Sequence, residues 1–122
     1  MAHVVVAQHL WLHRIEGLPA PDLKLWGTYN LDSIEEMANA IGARWINFIE
    51  RNDEFDRKLV YHNYTGDPYT NNVEHIMIHV VNHGTYHRGQ VAMLLRQKGF
   101  KPVNTDFITY DRVITGQLIL KD

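Results

Sequence analysis

The 122-residue chain has 45% hydrophobic residues and a formal net charge of −2, and a chain of this size can sustain one core, so a single domain over 1–122 is expected. Cysteine is absent, which excludes disulfides, Cys-ligated zinc or iron–sulfur, and a thiol nucleophile belonging to the protein itself. No apolar run approaches the roughly 18 residues of a membrane helix and the first residues lack a basic leader region, while slight acidity gives no reason to seek phosphate backbones; a cytoplasmic protein with no membrane and no nucleic-acid partner is expected.

Residues 2–16 place Val4, Ala7, Leu10, Trp11 and Ile15 at helical spacings and predict an amphipathic helix. Gly17, Pro19 and Pro21 end it, and an irregular connection runs to Asn30. A second helix opens at Asp32, with Glu35 completing an acid-capped box, and continues through Ile34, Met37, Ala38, Ile41, Trp45, Phe48 and Ile49. Lys58 to Tyr64 alternates and is partly β-branched or aromatic, with a turn at Gly66-Asp67-Pro68, so a short strand or hairpin is expected. A long helix runs from about Asn72 to Lys98, closed by Gly99 and by Pro102 beyond it. The remaining residues, from Phe107 through Ile119, fit a short helix or a strand equally well. Three such helices suggest an all-α bundle, a fold that builds metal and cofactor sites from inward-facing side chains.

The compositional anomaly is eight histidines. His3, His9 and His13 crowd the start, His75, His79, His83 and His87 recur every four residues, and His62 stands alone. At 100° per residue each step of the ladder drifts about 40°, so its members cannot share one direction. Taking the apolar direction from Val73, Ile76, Met77, Val80, Val91, Leu94 and Leu95, His87 lies about 30° away, His83 about 70°, His79 about 110° and His75 about 150°. Orientation therefore favours His83 and His87, two imidazoles one turn apart that can reach a single ion. A working site normally wants a third ligand from another element. His3 shares the apolar band of the first helix with Ala7 and Leu10 and is the better third ligand. His9 with His13, and His75 with His79, read as solvated pairs, and His62 as part of a polar strand face. Asn82 to Gln90 also contains Gly84 and Gly89, expected to permit close backbone approach. Trp11, Trp26, Tyr61, Tyr64 and Tyr86 are candidates for lining an apolar pocket.

The segment His79-Val-Val-Asn-His-Gly-Thr-Tyr-His-Arg-Gly-Gln90 resembles the signature helix of the DinB family, and Ala2 through Arg14 resembles that family's His-containing second helix. Arg44-Trp45, the Gly66 to Tyr69 hairpin and Asp106 to Tyr110 follow in the family's order. The resemblance implies an up-and-down four-helix bundle with a small β-hairpin before the last long helix. It also implies a divalent ion held by His3, His83 and His87, with Asn82, Arg88 and Gln90 in supporting roles. Because members usually carry a helix before the first ligand helix, and His3 is almost at the start here, the expectation is either a bundle short by its first helix or a sequence that does not include the true N-terminus. The exposed groove is then expected to be covered in a homo-oligomer, a dimer in the simplest case.

Three neutral imidazoles suit Zn or Ni and leave a coordination position open. Two chemistries are then available: hydrolysis through an activated water, or transfer of a thiolate supplied by a low-molecular-weight thiol. The familiar zinc-peptidase helix places Glu after its first ligand, whereas His83 is followed by Gly84. No general base can be named, the family includes small-thiol transferases, and a thiol transferase acting on an unknown small molecule is placed ahead of a hydrolase. A non-enzymatic module with a structural ion is the further alternative.

Overall fold

The computed structural model describes residues 1–120 and contains, in chain order, α1 (Ala2–Glu16), α2 (Leu31–Arg51), β1 (Lys58–His62), β2 (Pro68–Asn72), α3 (Val73–Gln97) and α4 (Phe107–Ile114). It is mostly helical, and two compact units meet within α3: Met1–Gly84, and the part from Thr85 onward. Among the described residues no helix is long and apolar enough to cross a membrane.

The core of the first unit is made by Val5, Leu12 and Ile15 of α1, Ile41 and Phe48 of α2, and Val73 and Ile76 of α3. Helix α1 is apolar on more than one side: Val4, Val5, Val6, Ala7, Leu12 and Ile15 are all buried. Leu12, fully buried, lies outside the stripe that the spacing predicted, because a helix enclosed by neighbours needs no polar face. It ends at Gly17, whose φ of 70° only glycine adopts without strain; its N–H reaches the Arg14 carbonyl.

Helix α2 is capped two residues earlier than predicted. Its cap is Asn30, whose Oδ1 accepts the Ser33 N–H at 2.8 Å. Asp32 instead lies in the first turn, where a carboxylate complements the positive end of the helix. Ile41 and Phe48 are buried, whereas Ile49, expected on the same face, is exposed.

The segment after α2, expected as a short strand or hairpin, is an antiparallel hairpin with Lys58 opposite Asn72 and Tyr61 opposite Tyr69. Its turn lies at 63–67 rather than 66–68. Asn63 Oδ1 accepts the backbone N–H of Thr65 and of Asp67, and Gly66 supplies a φ of 90°.

Helix α3 buries Val73 and Ile76 in its first turns and closes at Gly99, whose φ is 84° and whose N–H meets the Arg96 carbonyl. In the second unit, considered by itself, Leu94 and Leu95 are exposed, as are Phe107, Ile108 and Ile114 of α4. The sequence-ambiguous tail thus contains a short helix, Phe107–Ile114, with no buried residue, and no strand among the described residues. Gly89 is exposed, and among the described residues nothing lies within 4 Å of an added Cβ, so the close approach expected there is not seen; Gly84 is buried.

Candidate metal centre

His3 stands one residue before the buried Val4 to Val6 block, so core packing fixes where its ring can go. Its Nδ1 lies 3.0 Å from the carbonyl of Leu25, in the connection between α1 and α2. A carbonyl only accepts, so Nδ1 carries the proton and Nε2 is the basic nitrogen. Trp26 stacks on the imidazole, with ring centroids 3.6 Å apart and planes 7° from parallel. The bend presenting these two residues depends on Gly27, whose N–H bonds the Lys24 carbonyl and where an added Cβ would sit 2.9 Å from Lys24 Cβ.

His3 Nε2 is directed at His83 Nε2, 3.1 Å away. Two nitrogens bound to one tetrahedral ion at about 2.0–2.1 Å lie about 3.3 Å apart, so this separation suits a shared ion. One turn further along the continuous helix α3, His87 Nδ1 lies 2.8 Å from Gln90 Oε1. With the amide oxygen as acceptor, His87 too is protonated on Nδ1 and basic on Nε2. One ligand nitrogen from each of His3, His83 and His87 falls within 4.8 Å of the others, and all three residues are half-buried. The donor set is all imidazole, which suits a borderline divalent ion better than Mg²⁺ or Ca²⁺.

The rest of the ladder behaves differently. His75 and His79 are exposed; His79 stacks obliquely on His83 at 5.4 Å and meets Trp11 edge-on at 5.6 Å. Trp11, Tyr61, His75 and His79 line a cavity of about 290 Å³. Tyr64 and Tyr86 are largely exposed, and Trp26 serves His3 instead of that cavity.

His9 and His13 are not the solvated pair expected. Both are half-buried: His9 Nε2 lies 3.1 Å from the Met37 carbonyl and His13 Nε2 accepts from Arg44 at 2.8 Å, tying α1 to α2. Burial holds the His9 imidazole below its usual pKa, opposed in part by the Met37 carbonyl. Of the proposed supporting residues, Gln90 holds His87, Arg88 donates to Thr85 Oγ1 at 3.2 Å, and Asn82 lines an exposed cavity together with Glu74, Asp53 and Asp56. The partner that sequence reasoning missed is Leu25, while Trp26, expected among the pocket-lining aromatics, stacks on His3 instead. A backbone carbonyl leaves no signature in side-chain identity, and Gly27 was the one hint of a tight bend.

The DinB family profile matches residues 1–117. The chain is 29% identical over 118 residues to Protein DinB of Bacillus subtilis (strain 168), covering 90% of this chain and 69% of that protein. It is 23% identical over 108 residues to the uncharacterized protein YizA of the same organism, covering 87% of this chain and 67% of that one. With its helical fold and the family profile running over nearly the whole length, the chain belongs to the DinB family.

Proposed function

We propose that this protein binds one divalent ion, Zn or Ni, through His3, His83 and His87, and acts as a metal-dependent transferase for a low-molecular-weight thiol. The observation that carries the metal assignment is the convergence of the three imidazoles, with two Nδ1 protons tied to carbonyl acceptors so that Nε2 is the coordinating nitrogen. When bound, such an ion would favour the thiolate over the thiol near neutral pH. The protein contains no cysteine, so the sulfur comes from a small molecule. Trp26 shields one face of His3, and the cavity beside His79 offers Trp11 and Tyr61 as apolar walls for the acceptor. Hydrolysis is the second reading. The histidine group contains no carboxylate to serve as general base, and Glu74 lines a different cavity, which places transfer first.

The exposed apolar side chains of residues 93–114 support self-association, and we propose a homodimer as the working form. The test is elemental analysis of purified protein, followed by a thiol-transfer assay on the zinc- and nickel-loaded forms. In that assay the thiol sulfur displaces chloride from a chloronitroarene, releasing chloride and a proton. Stoichiometric ion with ion-dependent transfer is expected. Ion uptake without transfer would leave a metal-binding module, and no uptake would end the reading.

A further inference from the structure

At the opposite end of α1, a cavity of about 390 Å³ lies among the last turns of α1 and α2 and the segment before β1. Twelve helical steps separate His3 from Ile15, placing this cavity roughly 18 Å from the histidines along α1. Arg44, Arg51 and Arg57 line it, with Asn47 and Asn52, and Glu16 is the lone carboxylate. The lining therefore carries an excess of positive charge in a chain whose net charge is −2.

The donors are far from exhausted. A guanidinium has five N–H groups. Arg44 uses Nη1 toward His13 at 2.8 Å and Nη2 toward Glu16 Oε1 at 2.9 Å; Arg57 donates once, to the Ile15 carbonyl at 3.0 Å. Those bonds hold two guanidinium planes in place. Among the described residues the Arg51 guanidinium makes no hydrogen bond or ion pair. Cations near helix C-termini are favoured by the helix dipole, and the Arg57 bond to Ile15 is an instance. Helix ends account for Arg57 and Arg51, and Glu16 pairs with Arg44, yet the three guanidinium groups share one cavity whose positive charge a single carboxylate leaves in excess.

We infer that this cavity binds a small organic anion. Its phosphate or carboxylate is gripped by Arg51 with the unused donors of Arg44 and Arg57, and its organic part lies in the remaining cavity, against the edges of the otherwise buried Ile15 and Phe48. The planar fork of arginine matches both oxyanions in bidentate geometry, and the volume falls in the range of small-molecule sites.

Isothermal titration of the full chain with phenyl phosphate, benzoate and inorganic phosphate tests the site. Saturable binding near one equivalent is expected, weakened at least about tenfold in Arg51→Ala, whose side chain holds nothing else in place. The exposed Arg96→Ala, on α3, and His87→Ala are expected to bind as wild type, the latter separating this site from the metal proposal. Tighter phenyl phosphate identifies a phosphate monoester as ligand class, and tighter benzoate a carboxylate; either supports the site. Absence of saturation by about 10 mM, or wild-type affinity in Arg51→Ala, overturns it.

Discussion

Replacing Gln90 with leucine removes the oxygen that accepts the His87 Nδ1 proton at 2.8 Å and leaves the three proposed ligands in the chain. Leucine is comparable in bulk and helix propensity, so α3 should persist. What is lost is the constraint on tautomer and ring orientation at one of three ligands. Losing such an outer partner typically costs about 10- to 100-fold in metal affinity, equivalent to about 1.4–2.7 kcal/mol. The apo protein should lose only about 0.5–1.5 kcal/mol, the net worth of one partly exposed hydrogen bond. Gln90→Glu supplies the sharper comparison: a carboxylate in the same place keeps the acceptor and makes His87 more basic, so affinity should equal or exceed that of the native protein. Competition for zinc against a chromophoric chelator, at near-neutral pH and fixed ionic strength, measures all three. A leucine variant within about threefold of wild type, or a glutamate variant as weak as leucine, would refute the assignment of Gln90 as the group that orients a ligand.

His3→Ala and His87→Ala should each empty the site, and His75→Ala should leave it full, because His75 is exposed and outside the histidine group; metal content after purification and dialysis decides this. Leu12→Ala should destabilise the fold by about 3 kcal/mol, with a fall in Tm of roughly 10 °C, since Leu12 is fully buried; a loss under about 1 kcal/mol would contradict its place in the core. His9, held below its usual pKa by burial, gives a sign for pH dependence. Because the unfolded chain takes up the proton first, its stabilising contribution is complete above about pH 6.5 and declines as pH falls toward the lowered folded value. Denaturation midpoints near pH 7.5 and pH 5.5 should therefore converge in His9→Gln relative to wild type.

Much of the fold was legible because its boundaries are chemical. Gly17 and Gly99 end helices where the backbone turns left-handed, and both limits of α1 agree with the reading from spacing. The N-terminus of α2 was misplaced because Asn30 and Asp32 are both good caps, and only the backbone decides between them: Asn30 is extended, and its side chain reaches Ser33. His83 and His87 were found because helical drift separates them from His75 and His79, a geometric fact independent of packing. His9 and His13 were misread for the complementary reason. Their partners, Met37 and Arg44, lie on another helix, and what covers a helix face is invisible in its own periodicity. Leu94 and Leu95 belong to the apolar direction of α3 yet are exposed, so periodicity located that face without supplying its cover.

Proximity of His3 and His83 alone would fit a simple imidazole–imidazole hydrogen bond, and 3.1 Å suits one. The proton positions argue for more. His3 receives its orientation from a backbone carbonyl in a bend that needs Gly27, and His87 receives its own from an amide three residues along α3. Two unrelated pieces of structure thus impose the same tautomer on two residues of one group. A hydrogen-bonded pair would need that constraint at one ring at most, and it would need nothing from His87. Convergent placement of the same basic nitrogen by independent means is the arrangement expected when a cation is the common partner. The half-burial of the group fits the same proposal: it is enclosed enough to fix the rings and open enough that a bound ion would stay within reach of a small molecule.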